Sequence, residues 1–139
     1  MIYLYSEIFD QYTKAATKED KIAVLRKHDH KQLREFFHYL YSPNIIFEVT
    51  IPTYKPAKEP AGLNFTYLDI EMSKMYRFIK DHEKRTNTTP ERREALLVGI
   101  LESLHKDEAE LLIGLIRKDL GIKYLTPLMV KEAYPDLDI

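Results

Sequence analysis

The residues best suited to chemistry gather near the C-terminus, in the stretch RKDLGIKYLTPLMVKEAYPDL from Arg117 to Leu137. Arg117, Lys118, Lys123 and Lys131 bring cations to a short span. Gly121 falls where a helix C-cap is expected, because glycine reaches the left-handed conformation without steric cost. Thr126-Pro127 reads as an N-cap and first helical residue: the hydroxyl accepts from a free N–H, and proline has none to leave unpaired. Free amides at a helix start beside lysines on a tight loop suit an anion such as a backbone phosphate. Tyr124, inside that loop, is the tyrosine placed to lie against a sugar or a phosphate. The plainer reading is that helix–glycine–loop–helix with scattered lysines is ordinary helical architecture.

Other chemistries find less support. His28-Asp29-His30 sets three ligand-type side chains in a row, but neighbours around a helix cap do not point at one centre. His38, His82 and His105 stand alone, so packed or solvated roles outweigh a zinc site. The chain has no cysteine, which excludes disulfides, thiolate metal sites and thiol nucleophiles. Its four glycines form neither a GxxxxGK[ST] phosphate loop nor a GxSxG elbow. No catalytic residue and no metal ligand is assigned.

The run KDLGIKYLTPLMVKEAYPDL resembles the last segment of the N-terminal DNA-binding domain of ATP-dependent DNA ligases, most closely the bacteriophage type. In that family a basic-Asp-Leu unit ends one helix, a glycine-containing loop follows, and the next helix closes on an aromatic-Pro-Gly/Asp-Leu/Ala tetrad. Lys118-Asp119-Leu120, the loop from Gly121 to Leu125, and Tyr134-Pro135-Asp136-Leu137 match in turn. Tyr124 departs from the pattern, standing near a place the family often gives to glycine. The resemblance is loose from about Ile22 onward and specific only in the final twenty residues. It implies sequence-independent binding of duplex DNA, the nicked form above all, through backbone phosphates along the minor groove in replication and repair. The adenylated lysine of a ligase lies in Lys-x-Asp-Gly, which this chain lacks: Lys118-Asp119-Leu120-Gly121 has the wrong order. ATP and magnesium would belong only to an attached nucleotidyltransferase core, and the chain reads as a ligase fragment or as a stand-alone relative.

The elements that would position this stretch form one domain, residues 1–139, since 45% hydrophobic content at this length supports a single core. No run approaches the roughly 18 apolar residues a membrane helix needs. MIYLYSEIFD carries acids where a signal peptide carries a basic n-region. The expected location is cytoplasmic, in a bacterium or an infected host cell, with no membrane partner. The net charge of −1 weighs mildly against nucleic acid. Distribution counts for more: between Lys74 and Arg93, seven basic residues face three acids. These could share a positive face with the Arg117–Lys131 cluster or be solvated helix surface with interleaved counter-charges.

Apolar spacing predicts an all-α bundle of about seven helices. The first spans Ile2 to Tyr12. A second follows a Thr17 cap, and a third runs to Tyr41 from a capping box at Asp29-His30-Lys31-Gln32. A fourth covers Thr66 to His82. A fifth opens at Thr89-Pro90, a sixth at a capping box Asp107-Glu108-Ala109-Glu110, and the seventh at Thr126-Pro127. Between the third and fourth, IIFEVTIPTY alternates and is β-branched, predicting a short extended segment or hairpin, followed by a KPAKEPAG surface loop. A shift of 79 residues superposes Leu25 on Leu104, Leu33 on Leu112, Phe36 on Leu115 and Ser42 on Gly121. Ligase DNA-binding domains are built from two similar helical halves, so the resemblance implies a counterpart phosphate contact at Ser42 and Asn44. The reading from another class is a helical protein-interaction or regulatory module without DNA affinity, which the near-neutral charge and leucine-rich helices favour.

Overall fold

The computed structural model describes residues 4–55, 66–85 and 88–139. Among these the chain is all-α, with seven α-helices: α1 (Tyr5–Lys14), α2 (Lys18–Lys27), α3 (Lys31–Tyr41), α4 (Leu68–Glu71), α5 (Pro90–Glu102), α6 (Lys106–Arg117) and α7 (Pro127–Ala133). Ile2 and most of the KPAKEPAG loop lie outside the described residues.

The core follows from the spacing of the apolar residues. Helix α1 buries Tyr5, Ile8, Phe9 and Tyr12 along one face, and α3 buries Leu33, Phe36, Phe37 and Leu40. Their rings meet edge to face, with Tyr5 and Phe36 centroids 5.3 Å apart at 89° and Phe36 and Phe37 5.8 Å apart at 81°. Such geometry sets ring edges against ring faces and adds to simple area burial. Helix α1 packs on α2 and α6, α2 on α7, and α3 on α6.

The fourth helix is shorter than its pattern suggests. It leaves α geometry after Glu71 and tightens into a 3-10 helix over Met72–Phe78. A three-residue turn stacks Met72, Met75 and Phe78 on a single line, and all three are buried. The chain then extends, because Glu48 N–H donates to the Phe78 carbonyl (2.6 Å) and Lys80 N–H to that of Ile46 (2.8 Å). The extended piece expected in the middle of the chain is thus a lone antiparallel bridge between Phe47 and Ile79 rather than a hairpin.

Three threonine caps stand where the sequence puts them: Thr17 accepts from Asp20 N–H, Thr89 from Arg92 N–H and Thr126 from Met129 N–H. Both capping boxes differ. Helix α3 starts after His30, and Asp29 instead takes the Arg34 guanidinium through bonds of 2.6 and 2.9 Å. Helix α6 starts after His105, whose ring nitrogen meets Asp107 N–H. Glu108 reaches away to α1, where its two oxygens accept from Tyr5 N–H (2.8 Å) and Ser6 N–H (2.7 Å). A carboxylate from one helix caps the start of another, and it is 1% exposed.

Candidate nucleic-acid interface

The chain leaves α6 one turn earlier than the glycine predicts. Lys118 is the C-cap, left-handed at φ 61°. Asp119 N–H donates to the Gly114 carbonyl and Lys118 N–H to that of Leu115, the paired closure of a Schellman motif. The returning chain lies so close that a Cβ on Gly114 would come within 3.1 Å of the Asp119 carbonyl and 3.0 Å of the Leu120 side chain. Gly121, at φ 70°, is a second left-handed residue inside the loop, its N–H held by the Asp119 carboxylate at 2.9 Å. Tyr124 is a third, at φ 66°. Tyr124 therefore holds a backbone conformation that favours glycine.

The loop from Lys118 to Leu125 is pinned by side chains from elsewhere. Tyr12 Oη donates to the Tyr124 carbonyl at 2.7 Å, and Tyr41 Oη reaches that of Leu125 at 3.4 Å. Burial pushes both phenols above their ordinary range. The Lys118 ammonium donates to the carbonyls of Ser42 and, at 2.6 Å, Ile45. Loss of solvent lowers its pKa. Lys118 thus ties the loop after α6 to the loop after α3, bringing together the two stretches that hold the proposed phosphate contacts. Ser42 is buried at that junction, whereas Asn44 is exposed.

The remaining site residues divide by what their side chains already hold. The Lys131 ammonium donates to the Leu137 carbonyl, closing the C-terminal turn. Thr126 caps α7, and with Pro127 lacking an N–H and Met129 and Val130 bonded to Thr126, the helix start has little left for an anion. Arg117 and Lys123 are exposed. Lys123 Nζ lies 5.1 Å from the centre of the Tyr124 ring. Tyr124 is 63% exposed and Leu128, one turn on, 79%. Lys21, on α2, approaches the same ring at 5.8 Å while donating to the Tyr12 carbonyl at 2.9 Å. With Ala16, Lys18, Thr126 and Met129, these two residues line an open hollow of about 470 Å³. Nothing in the local sequence flags Lys21 and Lys18, because only packing of α2 against α7 brings them to the loop.

The Tyr134-Pro135-Asp136-Leu137 tetrad acts as a clasp. Tyr134 is fully buried and its hydroxyl donates to the Leu25 carbonyl. Arg34 covers the ring at 5.0 Å and reaches the Asp136 carboxylate at 3.7 Å. The tetrad thereby fixes α7 against α2 and α3.

A family model described as a family of unknown function, DUF6433, matches residues 8–122. The chain belongs to DUF6433. The matched span takes in α1 from Ile8 onward, all of α2 to α6 and the loop from Lys118 to Ile122, and stops short of Lys123, Tyr124 and α7. No curated protein and no solved structure matches the chain. Membership of DUF6433 assigns no activity. Among the described residues no group of three His, Asp or Glu side chains could hold a metal ion, and no helix is long and apolar enough to cross a membrane.

Proposed function

We propose that this protein binds duplex DNA, the nicked form above all, through backbone phosphates in the minor groove and without reading sequence. The observation that carries the reading is the exposed Tyr124 ring, with the ammonium groups of Lys21 and Lys123 at 5.8 and 5.1 Å from its centre, on a loop whose backbone other residues hold still. Cations positioned beside an aromatic surface suit a phosphate–sugar chain, the ions meeting phosphate oxygens and the ring meeting the sugar. Exposed Leu128 adds an apolar side chain of the kind that minor-groove proteins press against or between base steps. The resemblance of residues 118–137 to the ligase DNA-binding segment supports the same reading, with the chain serving as the non-catalytic domain of a ligase or as a stand-alone relative in the cytoplasm.

Roles follow from the contacts. Arg117, Lys123 and Tyr124 meet the DNA, with Asn44 approaching from the neighbouring loop. Lys118, Ser42, Gly121, Thr126 and Lys131 hold the loop and α7 in place. Lys123→Glu and Arg117→Glu should each weaken duplex binding several-fold for every sequence tested, in a gel-shift titration at fixed salt. If both variants bind as the parent does, the loop is not the interface. A protein-interaction module is the second reading, favoured by Tyr124 and Leu128 lying exposed beside the hollow at Met129. It predicts no affinity for duplex at any salt concentration.

A further inference from the structure

A second cationic site lies away from this loop and shares no residue with it. Between the 3-10 helix and α5, the side chains of Arg77, Lys84, Arg85 and Arg92 line a hollow of about 310 Å³, with Thr88 and Leu96. Among the described residues that line it there is no acid. Four cations around one small space repel each other, an arrangement that an anion relieves. Arg85 shows the imbalance most clearly. One side of its guanidinium pairs with Glu48 at 2.8 Å, and Glu48 also lies 3.5 Å from Arg93. Its other terminal nitrogen, Nη1, is buried with no hydrogen-bond partner among the described residues. A buried guanidinium N–H left unpaired is costly and needs an acceptor. The thirteen-residue α5 begins beside the hollow, and the positive end of its dipole adds to the field.

We infer that this hollow is a phosphate-binding site, in which Arg77, Arg92 and Lys84 close on the oxygens of one phosphoryl group above the Arg85 guanidinium. Planar guanidinium forks match tetrahedral phosphate oxygens two at a time, so arginine is the fitting residue type here. The hollow is wide enough for a phosphate carrying a sugar, which the apolar Leu96 edge and the Tyr76 ring would border. The phosphoryl group could belong to a nucleic-acid backbone or to a free phosphorylated compound.

The test is an amide NMR titration of the whole protein with inorganic phosphate, beside a sodium chloride series of matched ionic strength. The amides of Arg77, Arg85, Thr88 and Arg92 should move saturably with phosphate and not with chloride. Arg77→Gln and Arg92→Gln should each weaken that response roughly tenfold, with the rest of the spectrum unchanged, while Lys123→Glu leaves it intact. Equal movement with both salts, or full response in both glutamine variants, overturns the site. A duplex and a nucleoside monophosphate then identify the source. If Arg92→Gln lowers the salt slope of duplex binding by about one, the phosphate is a backbone phosphate. If it spares the slope and weakens the monophosphate, the ligand is a free compound. A protein that ignores duplex yet saturates with phosphate would sink the DNA reading and keep this site.

Discussion

At the scale of residues, Lys118 and Tyr124 separate holding from binding. The Lys118 ammonium satisfies two carbonyls of the loop after α3, so Lys118→Met should cost about 1–3 kcal/mol, the usual penalty for polar groups left unpaired. Its left-handed backbone makes a second forecast possible: Lys118→Gly relieves about 1 kcal/mol of that conformation and should be the milder change. Urea denaturation of the two variants decides the order. Tyr124 behaves in the opposite way. Its ring is mostly exposed and its backbone is left-handed, so Tyr124→Gly should leave stability unchanged or raise it by up to about 1 kcal/mol. The Tyr12 bond to the carbonyl survives the exchange. Duplex affinity should nevertheless fall, because the aromatic surface beside Lys21 and Lys123 is gone. A variant that loses stability and keeps affinity would reverse these assignments.

At the scale of elements, Glu108 joins α6 to the start of α1. Burial raises its pKa, with the Ser6 and Tyr5 donors working in the other direction. A carboxyl raised in the folded state binds protons there that the unfolded chain has released. Its contribution therefore favours the fold at low pH and is lost as pH rises from the ordinary glutamate range through the raised value. Stability measured against pH should show that fall in the parent protein, and the Glu108→Gln difference curve should isolate it. Glu108→Gln should also cost about 1 kcal/mol or more at neutral pH, since one strong acceptor is lost. Gly114→Ala should be destabilising too, by about 1–3 kcal/mol, as its Cβ meets backbone atoms that cannot swing aside.

The helices and three of their caps were legible because apolar spacing and Thr-x-x or Thr-Pro starts are local signals. Glu108 was not. A capping-box pattern says that a carboxylate will find free amides, but not that they belong to another helix. The internal echo shows the same boundary. The sequence pattern pairs the halves at a shift of 79 residues, whereas α3 begins at Lys31 and α6 at Lys106, a shift of 75. The difference of four residues is about one helical turn, which returns the same apolar face, so periodicity cannot tell the two registers apart. Counted from these two helix starts, Glu108 holds the position in α6 that Leu33 holds in α3, a cap in one helix and a core leucine in the other.

At the scale of the whole molecule, a net charge of −1 hides an uneven distribution. Two groups stand out among the described cations. Lys18, Lys74 and Arg93 are paired with Glu132, Glu71 and Glu48, and Lys118 and Lys131 hold backbone carbonyls. Arg117 and Lys123 flank the loop, while Arg77, Lys84 and Arg92 ring the hollow beside α5. The expectation that Lys74–Arg93 is either solvated surface or a positive face thus divides by residue, since Lys74, Arg85 and Arg93 have carboxylate partners. Charge counting alone could not make that division, because Glu48, the partner of both Arg85 and Arg93, comes from a distant part of the chain. The central claim is that the protein binds duplex DNA through phosphates. Its most direct test is fluorescence anisotropy with nicked duplex, intact duplex and single strand across a salt series. The account predicts binding to duplex, equal or tighter at a nick, that weakens steeply as salt rises because each neutralised phosphate releases counterions. Absence of duplex binding at low salt, or binding indifferent to salt, would contradict it and turn the search toward a protein partner for Tyr124 and Leu128.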